Sequence, residues 1–194
     1  MRITGGLLKN RTLFAPKGQV TRPTSERLRQ AVFNICIHKV PNARFLDLFA
    51  GSGAMGIEAL SHGASHATFV DQNKTAIECI KKNVLNLSLL SVTTIMISDV
   101  MTALKKLEKK GEQFDLIYVD PPYNQQVKTP THSIQESILI YLDSSSLLST
   151  EGTLFIEDLY TKDDLLGTLP LKNLSLHSKR KIGSSSLYEY SKKG

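Results

Sequence analysis

A short apolar run that leads directly into glycines, residues 45–56 (FLDLFAGSGAMG), constrains the fold more than any other stretch of this sequence. Residues 45–50 are apolar except for Asp47 and too few for a typical helix, so they predict a buried strand that ends in a tight turn. Gly51 and Gly53 permit positive φ and let the backbone approach a ligand closely. The apolar residues that follow predict a helix. A strand, a glycine turn and a helix in this order hold nucleotide-like ligands in open α/β sheets.

The glycines over residues 51–56 also spell G-x-G-x-x-G, which taken alone would indicate NAD or FAD. Asp47 argues against both, because a carboxylate four residues before Gly51 would repel a pyrophosphate and attract a cationic ligand. S-adenosylmethionine carries an ammonium and a sulfonium and has no phosphate. The electrostatics therefore favour S-adenosylmethionine, and a glycine turn without any ligand is the alternative that stays open.

The composition sets the class of protein. A chain of 194 residues can bury a substantial core, and its 41% hydrophobic and 22% charged residues are ordinary for a soluble globular protein. No apolar run is long enough to span a membrane, and the first residues lack the apolar core of a signal peptide. Cys36 and Cys79 show neither ligand spacing nor a disulfide framework, so we expect core cysteines, a cytoplasmic location and no metal site.

The net charge of +6 is distributed unevenly along the chain. Residues 1–44 hold nine Lys or Arg against a single acid, residues 45–161 hold eight against fourteen acids, and residues 162–194 hold seven against three. Basic ends on an acidic middle predict a nucleic-acid partner for the ends and a cationic ligand for the centre.

The beginning of the chain predicts a small β-hairpin extension over residues 1–21, next to a main domain over residues 22–194. Strand-like pieces at residues 2–3 and 12–14 are separated by glycines and an asparagine, which is a hairpin pattern. A hairpin of this size is not stable alone in water, so we expect it to lean on the main domain.

One helix is predicted between the extension and the glycine turn. Thr24 is a suitable N-cap, and the helix should end near His38. Its apolar positions, at helical spacing, are Leu28, Ala31, Val32, Ile35 and Cys36. Arg22, Arg27 and Arg29 are expected near or on its polar side.

From residue 45 onwards strands and helices alternate. Strands are predicted at residues 45–50, 66–71, 92–97, 114–119 and 153–157, with helices between them, a polar loop at 124–131 and a short helix at 161–167. The tail from 174 to 190 predicts two strands that turn at 182–184. This pattern predicts an α/β fold whose mostly parallel seven-stranded sheet has helices on both faces and a C-terminal antiparallel hairpin.

Four acids lie within or at the end of successive predicted strands: Asp47, Asp71, Asp99 and Asp120. Ligands of such sheets lie outside the carboxyl ends of the strands, so the four should converge on one crevice. Asp71 follows Gly51 by twenty residues, the offset at which an acid can accept hydrogen bonds from both ribose hydroxyls. Asp99 is placed to contact the adenine. For any single one of these acids, a helix cap is the alternative role.

The most specific motif is Asp120-Pro121-Pro122-Tyr123. Two prolines directly after a buried strand remove two N–H donors, which leaves carbonyls and the Asp120 carboxylate as acceptors facing the crevice. Such acceptors suit an amine with two N–H bonds, and acceptors outside the ring plane favour a pyramidal nitrogen whose lone pair points at the methyl carbon. Tyr123 would stack on a base turned out of its helix. A rigid turn without chemistry is the alternative.

The glycine turn and Asp-Pro-Pro-Tyr resemble the class I S-adenosylmethionine-dependent amino-methyltransferases, many of which share both motifs. RITGG at residues 2–6, Arg11, and RPTSERLR at residues 22–29 are similar to one branch, the bacterial RsmD family, which methylates N2 of a guanine in 16S ribosomal RNA. The resemblance covers nearly the whole chain and thins after about residue 160. It implies a Rossmann-like fold and an enzyme that acts on 16S rRNA or the assembling small ribosomal subunit. We also expect a monomer.

The resemblance also implies a set of site residues. The cofactor S-adenosylmethionine would be bound by Asp47, Phe49, Ala50, Gly51, Ser52, Gly53, Asp71, Gln72, Asp99, Val100 and Asp120. The guanine would be received by the catalytic residues Asp120, Pro121, Pro122 and Tyr123. The basic charge of the amino-terminal region, rather than the resemblance, predicts that RNA is bound by Arg2, Lys9, Arg11, Arg22, Thr24, Arg27 and Arg29, whose arginines offer planar forks that fit phosphate oxygens.

Two other functions stay open at this point. An adenine-N6 methyltransferase on DNA or RNA would use the same Asp-Pro-Pro-Tyr chemistry, although those acting on DNA usually carry a target-recognition region for which this chain has no room. A catalytically silent RNA-binding assembly factor on the same fold is the second, and the intact glycine turn beside residues 120–123 argues against it.

Overall fold

The computed structural model describes residues 1–16, 26–122, 132–160 and 165–193 of the chain. Within these ranges the helices are α1 (Glu26–Cys36), α2 (Ala54–Ser61), α3 (Lys74–Asn86), α4 (Val100–Lys109), α5 (Ile134–Ser144) and α6 (Leu165–Thr168). The strands are β1 (Arg44–Leu48), β2 (His66–Asp71), β3 (Thr93–Ile97), β4 (Phe114–Val119), β5 (Leu148–Leu159), β6 (Leu174–Ile182) and β7 (Ser185–Lys192). A single 3₁₀ turn, Leu90–Val92, precedes β3.

The strands of the described ranges form one seven-stranded sheet in the order β3-β2-β1-β4-β5-β7-β6. The first five are parallel to one another, and β7 lies antiparallel between β5 and β6. The mostly parallel α/β sheet with a C-terminal antiparallel hairpin is therefore confirmed. Because the chain moves outwards from β1 to β3 and then returns to place β4 on the other side of β1, the strand order reverses there. Open α/β sheets bind ligands outside the carboxyl ends of the strands at such a reversal.

The core lies on both faces of the sheet. Phe45 of β1 belongs to a cluster with residues of α1, α2 and α3, whereas its neighbours Leu46 and Leu48 belong to a cluster with residues of α4 and α5. Alternate side chains of a strand point to opposite faces, so a strand covered on both sides must be apolar throughout. This explains why β1 is apolar from Phe45 to Leu48 apart from Asp47.

Residues 1–16, here called the amino-terminal segment, pack against the α1–α3 side of the sheet. The predicted hairpin is present as one antiparallel bridge between Arg2 and Thr12. Ile3 and Leu13 are buried in the α1–α3 cluster, so this segment shares the core of the sheet. The predicted boundary after residue 21 falls outside the described residues.

Some predicted bounds differ from those of the structure. Helix α1 ends at Cys36 rather than near His38, and β5 begins at Leu148 rather than at residue 153. The register of β5 with β4 shifts between Leu148 and Thr153, so β5 extends beyond the predicted strand at its amino end. Arg22, Thr24, Tyr123 and the predicted loop 124–131 lie outside the described residues. No helix in the described part of the chain is long and apolar enough to cross a membrane.

Candidate active site

The carboxyl ends of four parallel strands bring the predicted acids to one edge of the sheet. Leu48 of β1 is in register with Val70 of β2 and with Val119 of β4. The next residues along those strands are Asp71 and Asp120, which therefore lie on either side of the end of β1. The space outside these strand ends is called the crevice below.

The glycine loop, residues 49–53, forms the floor of the crevice between β1 and α2. Its backbone has positive φ at Phe49 (61°), Gly51 (56°) and Gly53 (78°). Phe49 is the exception, since a bulky residue rarely adopts this conformation and such strain is concentrated at functional loops. A Cβ added at Gly51 would meet only the Phe49 carbonyl oxygen, at 3.9 Å, so this part of the backbone is open to a ligand.

The third glycine of the motif, Gly56, has a different role. A Cβ there would lie 2.3 Å from Cε1 of Phe69, a buried ring of β2. Gly56 is therefore required for the close packing of α2 on the sheet rather than for contact with a ligand, as expected for the last glycine of this fingerprint.

Asp47 lies beneath the glycine loop and not in the open crevice. The residue is 2% exposed, and its Oδ2 accepts a hydrogen bond of 2.9 Å from the Gly56 N–H, in the first turn of α2. Burial raises the pKa of the Asp47 carboxyl well above its usual range, and the neighbouring Asp120 and Asp71 raise it further against the opposing Gly56 hydrogen bond. Asp47 therefore supports the loop and the start of α2 from below. Its predicted role in cofactor binding stays a prediction.

Asp71 and Asp120 lie one residue beyond the register partners of Leu48, on either side of β1, and both raise the pKa of Asp47. An acidic crevice of this kind is unfavourable for a phosphate and favourable for a cation. The positions of these acids therefore support the sequence argument that carboxylates near the glycine loop would repel the pyrophosphate of a dinucleotide.

Asp71 is oriented by the backbone around it. Its Oδ2 accepts a hydrogen bond from the Gly51 N–H at 2.9 Å, and its Oδ1 accepts one from the Asn73 N–H at 2.8 Å. Each carboxylate oxygen has a second lone pair, so two acceptor positions are left beyond these bonds. The half-buried Asp71 thus links β2 to the glycine loop and is held ready for a ribose. Its predicted role in ribose binding stays a prediction.

Asp99 lies at the end of β3 and serves as a helix cap. Its Oδ1 accepts a hydrogen bond of 3.0 Å from the Thr102 N–H at the start of α4. The residue is exposed, whereas the neighbouring Val100 is buried. The side chain of Gln72, after β2, is also exposed at this edge. Adenine contacts of these residues stay predictions.

The Asp-Pro-Pro motif continues β4 into the crevice. The Asp120 N–H donates a hydrogen bond of 3.4 Å to the Leu48 carbonyl, which extends the β1–β4 pairing by one residue. Asp120 is half-buried, Pro121 is buried and Pro122 is exposed. The motif therefore passes from the interior to the surface within three residues, beside the glycine loop.

A buried polar chain that the sequence did not reveal lies next to this motif. The Tyr118 hydroxyl donates to Oε2 of Glu157 at 2.9 Å, and the Ser185 hydroxyl donates to Oε1 of Glu157 at 2.6 Å. Burial raises the pKa of Tyr118, and the charges of Asp120, Glu157 and Asp47 act in the same direction. These hydrogen bonds connect β4, β5 and β7 close to Asp120. In the sequence, the one indication of these hydrogen bonds was Glu157, an acid within the apolar run of β5.

The predicted RNA-binding residues fall into three groups: exposed residues, residues outside the described ranges, and one buried residue. Arg2, Lys9, Arg11 and Arg27 are exposed, whereas Arg22 and Thr24 lie outside the described residues. The prediction for Arg29 is wrong, because its side chain is 0% exposed and lies in the interior.

Arg29 is held inside the protein by a buried acid. Its Nε lies 3.5 Å from Oε2 of Glu58, which is also fully buried, and its Nη2 donates to the Arg2 carbonyl at 2.8 Å. Oε1 of Glu58 accepts hydrogen bonds from the Thr4 and Gly5 N–H groups, both at 2.8 Å. The pair therefore anchors the amino-terminal segment to α1 and α2.

Within the described ranges, no cluster of three or more His, Cys, Asp or Glu side chains is placed to hold a metal ion.

Comparison with known proteins assigns these features to one family. The family model described as Conserved hypothetical protein 95 matches residues 1–191. YlbH of Bacillus subtilis, whose name places it provisionally among the rRNA methyltransferases, is 36% identical over 81% of this chain and 82% of its own length. Ribosomal RNA small subunit methyltransferase D of Escherichia coli strain K12 is 30% identical over 94% of this chain and 85% of its own.

Comparison with solved structures also leads to a similar protein. The solved structure of the Escherichia coli protein yhhF is similar to this one with a TM-score of 0.81 and 30% identity, over 100% of this chain and 98% of that chain. The likeness includes the amino-terminal segment and the closing hairpin as well as the parallel sheet.

Proposed function

Because the chain belongs to the family described as Conserved hypothetical protein 95, the RsmD-like class I methyltransferases, we propose that it methylates the exocyclic N2 of a guanine in 16S ribosomal RNA, with S-adenosylmethionine as the methyl donor. The observation that carries the proposal is the juxtaposition of two motifs at one edge of the sheet. The glycine loop after β1 and the Asp-Pro-Pro motif after β4 end side by side, joined by the bond from Asp120 N–H to Leu48.

The residues of the crevice fit S-adenosylmethionine, which supplies an electrophilic methyl group on a sulfonium. The carboxyl groups of Asp71 and Asp120, on either side of the end of β1, favour a cationic ligand. Gly51 lets the backbone come close to it, and Asp71 has acceptor positions left for two ribose hydroxyls. The same features are unfavourable for the pyrophosphate of a dinucleotide.

The acceptor end of the site is built for an amine. Asp120 and the carbonyls of the proline turn accept the two N–H bonds of an exocyclic amine and hold its nitrogen pyramidal, so that its lone pair points at the methyl carbon. The nitrogen forms its new bond to the methyl carbon as the bond from that carbon to sulfur breaks. The extra proton of the methylated nitrogen then passes to Asp120 or to water.

The test of the proposed function is the identity of the methylated base. Purified protein is incubated with labelled S-adenosylmethionine and small ribosomal subunits, partly assembled subunits or 16S rRNA from cells lacking it, and the nucleosides are separated. We expect label in N2-methylguanosine. Label in N6-methyladenosine would assign the chain to the adenine methyltransferases, and no label in any fraction would leave it a silent RNA-binding protein.

Replacing Asp71 with alanine is expected to weaken S-adenosylmethionine binding by at least about tenfold. Each hydrogen bond to a charged acceptor contributes roughly 1.5–3 kcal/mol, and 1.4 kcal/mol corresponds to a factor of ten. The glycine loop also loses the carboxylate that orients Gly51 N–H. Titration calorimetry measures the affinity, with Glu78→Ala, an exposed acid of α3, as the control. Equal affinity in the two variants would remove Asp71 from the cofactor site.

The exposed cations of the amino-terminal segment and α1 are proposed to bind RNA phosphates. The triple variant with Arg2, Arg11 and Arg27 replaced by alanine should bind RNA more weakly. Its plot of log affinity against log salt should be flatter by about one unit for each phosphate that the variant no longer binds. Such phosphate binding positions the RNA, so affinity for S-adenosylmethionine should change little.

The matched control for this triple variant removes the same charge from the other face of the sheet. Lys105, Lys106 and Lys109 are exposed on α4, whose buried residues belong to the cluster opposite α1–α3. Filter binding across a salt series compares wild type with the two triple variants. Identical slopes for both triple variants would contradict an RNA surface on the amino-terminal segment.

We further propose that the enzyme is monomeric and cytoplasmic. It should also be independent of metal ions, because the sulfonium already makes the methyl group electrophilic. Methyl transfer should then persist in the presence of a chelator, and sedimentation should give the mass of one chain.

A further inference from the structure

Phe14 is an exposed aromatic residue whose backbone is held by a buried side chain. Phe14 is 41% exposed, while Asn83 of α3 is 1% exposed. Oδ1 of Asn83 accepts a hydrogen bond of 2.8 Å from the Phe14 N–H, and Nδ2 of Asn83 donates one of 3.1 Å to the Phe14 carbonyl. An amide that satisfies both backbone groups of one residue fixes its position, so Phe14 presents its ring from a rigid support.

The same amide fixes Phe14 relative to the glycine loop. Nδ2 of Asn83 also donates a hydrogen bond of 2.9 Å to the carbonyl of Ser52, between the two glycines of the loop. Asn83 therefore connects the amino-terminal segment and the cofactor side of the crevice through one buried group. The Phe14 backbone is consequently linked to the glycine loop through a single buried side chain.

The surroundings of Phe14 are basic. Nζ of Lys82 lies 3.9 Å from the centroid of the Phe14 ring. The charged residues exposed on α3 are Lys74, Lys81 and Lys82 against the single acid Glu78. An exposed ring with an ammonium over one of its faces combines the two elements by which proteins bind unpaired nucleotides, a stacking surface and a phosphate-binding cation.

We infer that Phe14 and Lys82 form a binding site for an unpaired nucleotide of the RNA substrate, whose base stacks on the ring face that Lys82 does not cover while the ammonium binds its phosphate. This inference rests on the proposed function and adds a contact outside the pocket of the methylated guanine. Its role is to position RNA that flanks the target, since a base that enters the crevice must leave its stack and its neighbours lose their stacking partners.

The chain contains no tryptophan, which makes a direct test possible. The Phe14→Trp variant carries a single indole, whose emission should be quenched when an unstructured RNA oligonucleotide or 16S rRNA stacks on it. A duplex RNA of equal length should quench it much less. Leu90→Trp is the control. Leu90 is exposed in the 3₁₀ turn before β3, at the amino ends of the parallel strands, whereas the crevice lies at their carboxyl ends.

Affinity provides the second readout. Phe14→Leu keeps an apolar side chain but removes the flat ring, and should weaken binding of single-stranded RNA about tenfold, whereas Phe14→Tyr should bind nearly as well as wild type. Both should bind S-adenosylmethionine as wild type does. Equal RNA affinity of Phe14→Leu and wild type, or an unquenched Phe14→Trp that still binds RNA, would overturn the inference.

Wild-type protein separates this inference from the proposed function. If wild type methylates 16S rRNA and the Phe14→Trp signal does not change, the nucleotide site is wrong and the function stands. If wild type neither binds nor methylates RNA, the proposed function fails and the nucleotide site fails with it.

Discussion

Replacing Asp120 with alanine should lower the rate of methyl transfer by about two orders of magnitude or more, the effect expected for a group that acts in the transition state. An exocyclic base amine is a poor nucleophile because its lone pair is delocalised into the ring. Asp120 acts on that amine in the transition state and is one of several residues predicted to bind the donor, so much of the affinity for S-adenosylmethionine should be retained. Single-turnover rates and calorimetry on the same preparation measure the two effects separately.

Two further variants sharpen this test. Asp120→Asn keeps an acceptor oxygen without the charge and should lose less activity than Asp120→Ala. Asp115→Ala removes an acid from the other end of β4, where it accepts hydrogen bonds from the Arg44 N–H at 2.9 Å and the Ser149 hydroxyl at 2.9 Å. It should affect stability but not the chemical step. Near-normal turnover of Asp120→Ala would exclude Asp120 as the acceptor.

Replacing Arg29 with alanine should destabilise the fold by about 3–5 kcal/mol, the scale observed when one partner of a buried ion pair is removed. Glu58 would stay fully buried without the guanidinium that compensates its charge. The Arg2 carbonyl would also lose a donor. Chemical denaturation of Arg29→Ala and wild type gives the free energies of unfolding.

The neighbouring arginine provides the control for this prediction. Arg27 lies two positions earlier on α1 and is exposed, so Arg27→Ala should change stability by less than about 0.5 kcal/mol. In Arg29→Ala, the amino-terminal segment should also become more sensitive to trypsin, at Lys9 and Arg11. Equal unfolding free energies for the two variants would mean that the Arg29–Glu58 pair contributes nothing to the fold.

The sheet could be predicted from the sequence because its strands are covered on both faces. Strands β2 and β4 have the bounds that their apolar runs predict, and each run is closed by an acid at the edge where the site forms. The same periodicity was less informative for α1, where the buried face includes Arg29 and Phe33 and is rotated from the apolar stripe. Apolar spacing cannot identify a buried charge, since its partner comes from elsewhere in the chain.

One signal for that partner was present in the sequence. Glu58 is the only charged residue of α2, whose residues are all buried in the structure. A buried acid needs a cation or several donors, and Glu58 obtains both from α1 and the amino-terminal segment. At the candidate site, too, sequence pattern predicts some contacts and not others. The convergence of Asp71 and Asp120 follows from strand order, whereas the position of Asp47 beneath the loop depends on a hydrogen bond to Gly56 that no pattern encodes.

The sheet order β5-β7-β6 has a consequence for how the protein is made. The last strand in chain order lies between two strands that precede it, in register with Thr153–Leu159 on one side and with β6 on the other. On the ribosome, β6 and the free edge of β5 are therefore synthesised before the strand that joins them. A chain interrupted before Ser185 presents two unpaired edges, the surfaces through which nascent chains aggregate. The sheet behind Asp120 thus closes only when translation has passed β7, and premature termination should yield protein destined for degradation rather than a partly active enzyme.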